Sequence, residues 1–409
     1  MSEFNHERPL IMHIDLNSCF ATVEQQARPM LRHKPVAIVN RRTETTAIVT
    51  ASYEAKAKGV KVGMKVREAR TLVPDLICLE SDPPKYRYVY HKLLDIMKDY
   101  SAHVTMKSID EGVIDFHYAT PLMQGRDLVE IGMEIKQRLK DEIGEYMRCN
   151  IGIATNRFLA KTAAGLHKPD GLDVITPANI YETLATLKLT DLTGIAHRNE
   201  HRLNSVGIYS ALDFINSDTV TLQKIVFKSV VGIWWHKRLR GWEVDDVESD
   251  VKRVGRQYVL ESFNLSHEEI TQRLHHLCES VGSRMRSQNK SARGIYVYAK
   301  TRERGYWHAS SLSQLPFCTD QTIYAQALRL FKNAPDQIKE IGIHCYELES
   351  MDDPQLSFFN DQVVHERQVT EAIDDINKRY GERMIHSANT LNTGVYVKQK
   401  IPFGSTRYL

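Results

Sequence analysis

Apolar residues recur along this chain with two periods, and the order in which the periods alternate predicts its elements. Residues 9–15 (PLIMHID) form an apolar run of strand length. Residues 18–28 (SCFATVEQQAR) follow as a helix, with Ser18 at the N-cap. Two short strands at 35–39 and 47–50 lead into a two-turn helix over 51–58, ended by Gly59. A helix at 65–72, a strand at 77–79 and a long helix at 84–100 come next. The last carries Tyr86, Tyr88 and Tyr90, a spacing that does not suit one helical face. Strands at 103–107 and 113–116 flank Ser108-Ile109-Asp110-Glu111, and Gly112 follows the two acids directly. A helix over 127–147, a strand over 150–154 and a helix over 156–165 close an α/β layer.

Residues 187–242 then change character and read as all-helical, with a helix, a Gly194-containing hairpin, a second helix and a further glycine turn at Gly207. Residues 244–250 are acidic and polar and read as a linker. Beyond them the pattern is strand 254–262, helix 267–287, strands 292–301 and 307–312, helix 319–332 and strand 340–348, a second and smaller α+β domain. A last helix spans 366–380, and the tail after Ile385 reads as weakly structured.

Composition changes this picture little. Of 409 residues, 42% are hydrophobic and 26% charged, an ordinary globular balance. No run of about 18 apolar residues exists, so no membrane partner is expected, and the polar N-terminus has no signal-peptide core. Six scattered cysteines without a CxxC pair point to a reducing, cytoplasmic setting and away from structural zinc. The net charge is only +3, but from Lys252 to Arg304 there are 11 Lys/Arg against 5 Asp/Glu. Such a local basic region suits phosphate-backbone contact, or is a solvated basic face.

The candidate chemistry starts from the acids. An isolated Asp-Glu pair is usually a solvated turn, and adjacent strand residues point to opposite faces. A tight turn or bulge at Gly112 is one way to aim Asp110 and Glu111 at one point. Asp15, at the carboxyl end of the first strand, is a third acid in a similar place. Together the three make an oxygen-only set of the kind Mg²⁺ prefers. Tyr53 and Lys56 share a helix face and suit a phosphate group. Lys161 lies one turn into its helix, near a positive N-terminus. Leu356, Phe358 and Phe359, in a polar stretch, are either an anchor for a partner's groove or pack back on their own domain.

Six stretches, HIDLNSCFATVE, TASYEAKAKGV, SIDE, NIGIATNRFLAKTAAGLHKPDG, LTGIA…LNSVGI and VGRQYVL, occur in this order. As a set they resemble the Y-family of translesion DNA polymerases, most closely the bacterial DNA polymerase IV type, over nearly the whole chain. The resemblance implies a right-hand polymerase with palm and fingers over 1–186, a helical thumb over 187–243, a linker over 244–253, a DNA-binding little finger over 254–349 and a C-terminal segment over 350–409. It implies two Mg²⁺ held by Asp15, Asp110, Glu111 and the Leu16 carbonyl, with Phe20 as the steric gate against a ribose 2′-OH. It implies triphosphate contacts from Tyr53, Lys56 and Lys161, with Thr50 as a helper. Gln355, Leu356, Ser357, Phe358 and Phe359 resemble a motif that binds the bacterial sliding clamp.

The implied activity is low-fidelity, template-directed extension of a primer 3′-OH by a monomer, with primer-template DNA and deoxynucleoside triphosphates as partners. The alternatives are a Y-family-like accessory protein without catalysis, which loss of the acids would mark, and a palm-fold nucleotide cyclase, which the hairpin and basic second domain disfavour. Three positions depart from the family pattern, one of them Gly112, which follows SIDE where Ala is commoner. Lys56 stands where Arg is usual, losing the bidentate fork, and Ala196 stands where the hairpin has its second Gly.

Overall fold

The computed structural model describes residues 4–247, 250–303, 305–351 and 361–397. In chain order the first part runs β1 (Ile11–Leu16), α1 (Cys19–Ala27), β2 (Val36–Val39), β3 (Ile48–Ala51), α2 (Tyr53–Ala57), α3 (Val66–Leu72), β4 (Ile77–Glu80), α4 (Pro83–Lys98), β5 (His103–Met106), β6 (Glu111–Asp115), α5 (Pro121–Gly125), α6 (Leu128–Glu142), β7 (Cys149–Ala154), α7 (Arg157–Leu166), β8 (Leu172–Val174), α8 (Ile180–Ala185), α9 (His197–Asn204), α10 (Ala211–Asn216) and α11 (Val231–Arg238). The second part runs β9 (Arg253–Val259), α12 (His267–Arg286), β10 (Lys290–Thr301), β11 (Tyr306–Phe317), α13 (Asp320–Phe331), β12 (Ile338–Ser350) and α14 (Asp361–Tyr380). The chain divides into two compact units at 247/248.

The first unit is built on a five-stranded sheet in the order β5-β6-β1-β7-β8. Its central strand β1 pairs antiparallel with both β6 and β7, so it is covered on both faces and reads as one apolar run. Met12, Ile14 and Leu16 face a core shared with Val89, Leu93, Ile96, Ile131 and Ile135 of α4 and α6. Ile11 and Val113 face the other way, under Phe158, Ala160 and Ala163 of α7. Helix α7 lies tight on the sheet because β7 carries Gly152, where a Cβ would run into the Ala160 carbonyl and the Ala164 amide. Asn156 starts this helix, accepting from the Leu159 amide at 2.8 Å. A separate three-stranded sheet, β3-β2-β4, carries α2 and α3 with its own small core.

Two expectations change here. Gly112 is not the turn: it sits inside β6 opposite Ile14, where a Cβ would lie 2.6 Å from Met106 Sδ. Its role is close packing. Residues 187–193 form only a 3₁₀ turn, Leu189–Asp191, before α9, and the Asp191 carboxylate reaches back to accept from the Lys188 amide at 2.9 Å. The three tyrosines of α4 divide between faces as their spacing indicates, Tyr86 and Tyr90 on the buried face and Tyr88 opposite at 58% exposed.

The second unit is a four-stranded antiparallel sheet, β11-β10-β12-β9, with α12 and α13 on one face. Ile295, Val297, Ile341, Ile343, Leu274, Val281 and Phe331 fill the layer between them. On the other face Tyr298 and His344 lie 5.8 Å apart and stacked. Much of the basic region serves this unit internally. Arg286 is bound to Asp320 and Asp374, and Arg273 to Glu261. Within the described residues, which reach Val397, the tail after Ile385 is structured. Residues Ala388–Val395 form a 3₁₀ segment whose Thr390 and Thr393 are buried, bonded to Glu279 and His276 of α12. Polar threonines hide this contact from an apolar pattern.

Gly152→Ala tests the close seat of α7. It is expected to cost about 1–3 kcal/mol through forced backbone shifts, read as a lowered denaturation midpoint. An unchanged midpoint would mean that α7 does not bear on β7 at this point.

Candidate active site

The register of the central sheet brings the acids together. Asp15 and Glu111 are direct cross-strand partners at the ends of β1 and β6. Asp110 precedes β6 in the bend after β5. The Leu16 amide donates to its carbonyl at 2.8 Å, which ties that bend to the end of β1. The Ser108 hydroxyl donates to Asp110 Oδ1 at 2.5 Å, and the Lys107 and Ser108 amides both donate to the Glu111 carbonyl. The bend, not a bulge at Gly112, therefore lets both neighbouring acids reach one region.

Two lysines answer this negative charge. Lys161 Nζ, on α7, donates to both Glu111 oxygens at 2.8 and 2.7 Å. Lys168 Nζ donates to Asp15 Oδ2. Lys168 went unnoticed in the sequence because it lies in a turn, Lys168-Pro169-Asp170-Gly171, with no periodicity to mark it. The turn is pinned by a buried amide relay. The Asp170 amide donates to Asn17 Oδ1 at 2.7 Å, Asn17 Nδ2 to Asn150 Oδ1 at 2.9 Å, and Asn150 Nδ2 to the His167 carbonyl at 3.0 Å.

Burial raises the Glu111 carboxyl, but hydrogen bonds from His13 and Lys161 outweigh it and hold the group down at about 2. Asp110 moves the other way. Burial pushes it above its ordinary value, and the charges of Asp15 and Glu111 add to this against the Ser108 hydrogen bond. Three acids thus act as one coupled, charge-rich site. No three His, Cys, Asp or Glu side chains form a closed ligand cage among the described residues, and Asp15 and Glu111 hold lysines instead. The donor set itself, carboxylate oxygens and nothing softer, fits a hard divalent cation.

The phosphate candidates lie beside the acids. Ser52 caps α2, accepting from the Ala55 amide. This places Tyr53 and Lys56 on one side, with Lys56 Nζ 4.8 Å from the Tyr53 ring centre. Ser18 is the N-cap of α1 by position, but at φ 46° its hydroxyl accepts from Lys56 Nζ at 2.8 Å and caps nothing. Burial lowers the Lys56 ammonium and Lys168 adds to it, while Asp15 opposes. Burial and Asp15 both raise the Tyr53 hydroxyl. These shifts tie Asp15, Tyr53, Lys56 and Lys168 into one electrostatic neighbourhood.

Phe20, in the first turn of α1, is 2% exposed and stacked flat on Tyr86, with ring centres 4.3 Å apart. Tyr86 OH in turn donates to Glu24, which Lys85 also holds at 2.9 Å. Thr50 lies on β3, and no hydrogen bond joins it to the other candidates among the described residues. Gln355, Leu356, Ser357, Phe358 and Phe359 lie outside the described residues.

Comparison with known proteins gives the class of the fold and its lineage. Residues 14–165 match the model of the impB/mucB/samB family, and residues 252–358 match that of its C-terminal domain. DNA polymerase IV of Moorella thermoacetica is 33% identical over 93% of this chain and 96% of its own length. DNA polymerase IV 1 of Halalkalibacterium halodurans is 28% identical over 94% of each chain. Among solved structures, the Dbh–Dpo4 Y-family DNA polymerase chimera superposes with a TM-score of 0.69 at 24% identity, covering 83% of this chain and 98% of its own. The chain belongs to the Y-family of translesion DNA polymerases, on the side of bacterial DNA polymerase IV. It is a DNA-directed DNA polymerase. No helix among the described residues is long and apolar enough to cross a membrane.

The depressed Glu111 carboxyl sets a pH signature in metal-free buffer. Its folded value lies below its ordinary value of 4.5, so it stabilises the fold above that pH and stops doing so as pH falls through about 2. Glu111→Gln is expected to be less stable than wild type at pH 7, with the gap narrowing between pH 4.5 and 2. A gap independent of pH, measured by denaturant titration, would show that His13 and Lys161 do not hold a charged carboxylate.

Proposed function

We propose that this chain extends the 3′-OH of a DNA primer on a template strand by in-line transfer of a deoxynucleotide, at the acidic ends of β1 and β6. The observation that carries the reading is the pairing of Asp15 with Glu111 in register, with Asp110 beside them and Lys168 and Lys161 in contact as counter-charges. Asp15, Asp110, Glu111 and the Leu16 carbonyl would hold two Mg²⁺ ions. When bound, these supply Lewis-acid stabilisation of the attacking and leaving oxygens.

The chain's own residues do the rest. Lys161 and Lys168, which hold Glu111 and Asp15 in this structure, would turn to a triphosphate beside Tyr53 and Lys56. Four donors there stabilise the charge that gathers on the leaving pyrophosphate. Phe20, locked against Tyr86, is a rigid wall with no freedom to yield to a 2′-OH, which suits a steric gate. Residues 1–186 would serve as palm and fingers, 187–243 as thumb, 244–253 as linker and 254–349 as a little finger that grips the duplex backbone without reading sequence. The 350–409 segment, through 355–359, would bind the sliding clamp of a cytoplasmic replication machinery, with the polymerase itself a monomer. Retention of all three acids supports an active enzyme over a non-catalytic accessory protein.

The test is primer extension on a primed template with Mg²⁺ and four deoxynucleotides, wild type beside Asp15→Ala, Asp110→Ala and Glu111→Ala. The wild type is expected to extend, and each variant to fall by at least about 2.7 kcal/mol in barrier terms, roughly 100-fold. Equal extension by wild type and variants would reject this site, and extension by none, with DNA bound, would support the accessory role.

A further inference from the structure

His13 lies on β1 two residues before Asp15 and is fully buried. It is flanked in register by Val113 on β6 and Gly152 on β7. Its neighbours on that face, Ile11 and Val113, belong to the apolar layer under α7. An imidazole here is costly. Its Nδ1 has no hydrogen-bond partner among the described residues, a penalty that a leucine would not carry. Packing therefore does not account for it. Its one polar contact does: Nε2 lies 3.2 Å from Glu111 Oε2. A carboxylate only accepts, so Nε2 is the donor of this contact.

Glu111 has a second donor, Lys161, which reaches both its oxygens. The two donors differ in kind. Lys161 sits on a flexible stem, 35% exposed, and faces the site. His13 is set in the middle of the central strand and cannot leave. On the reading above, on which this inference rests, Lys161 turns to the incoming triphosphate and Glu111 loses it.

We infer that His13 is a positioning residue for Glu111: its Nε2–H holds that carboxylate in one orientation throughout the cycle, while Lys161 changes partners. Donors of this second layer behind a metal-binding carboxylate are worth about 10–100-fold in metal affinity or rate.

The test compares full-length wild type, His13→Leu, His13→Gln and Glu111→Ala. Leucine fills the layer without a donor, and glutamine returns an N–H near the place of Nε2. Single-nucleotide insertion gives kcat and KM, and Mn²⁺ binding to the complex with primer-template gives a readout independent of turnover. His13→Leu is expected to lower kcat about 10-fold or more, to leave the KM for nucleotide and the affinity for DNA within about twofold, and to weaken Mn²⁺ about 10-fold. Its melting temperature should equal or exceed that of wild type. His13→Gln should recover most of both losses. Wild-type kcat and Mn²⁺ affinity in His13→Leu would overturn the inference, and so would a glutamine variant no better than leucine. Normal extension by Glu111→Ala would instead overturn the underlying reading of the site, which keeps the two failures apart.

Discussion

Asp15 and Glu111 face each other across the central antiparallel pair, so two like charges meet at the end of an otherwise apolar strand. Opposed like charges destabilise a sheet, and Asp110 beside them adds a third. Much of the first unit answers this constraint. Gly152 lets α7 lie close enough to bring Lys161 over Glu111. The Asn17–Asn150 relay brings the 168–171 turn in, with Lys168 on Asp15. His13 supports Glu111 from beneath. The cations that restrain the acids, Lys161 and Lys168, are the groups that the proposed function assigns to a triphosphate.

The alternation of strands and helices was legible in the sequence where a strand is buried on both faces and stands out as an apolar run, as β1 and β7 do. The acids were legible only as a set. Asp15 and Glu111 lie far apart in sequence, and nothing short of the β1–β6 register places them opposite each other. The residues that were missed share a physical reason. Lys168 and Asn17 act from turns, where no period marks them. His13 is buried in an apolar row, where a polar residue looks like a substitution and not a ligand support. Ser18 was placed correctly at the start of α1, but its left-handed backbone turns the hydroxyl to Lys56 and away from the helix.

In the second unit the sequence was silent in packing, and part of its charge turns inward. The excess of Lys and Arg over 252–304 suggested a basic face, yet Arg273 and Arg286 are buried in ion pairs with the unit's own acids. The open face of the sheet is aromatic as well as charged. Gly255, Gly294 and Gly342 leave room for the rings of His344, Tyr346 and Tyr298 on neighbouring strands. The C-terminal 3₁₀ segment closes over α12 through Thr390, Thr393 and Arg383, with Glu279 at the centre. Burial, with the nearby Arg383 and Arg256, lowers His276 to about 2, so it meets Thr393 as a neutral ring.

The central claim is that the acidic ends of β1 and β6 hold a pair of divalent ions. Electron paramagnetic resonance of Mn²⁺ tests it most directly, on the full chain with a dideoxy-terminated primer-template and the matching deoxynucleotide. The account predicts two ions per complex, close enough to couple at about 3.5–4 Å, and loss of the coupled signal in Asp15→Ala and Asp110→Ala. A wild-type complex that binds no coupled pair, or variants that keep the pair unchanged, would contradict it.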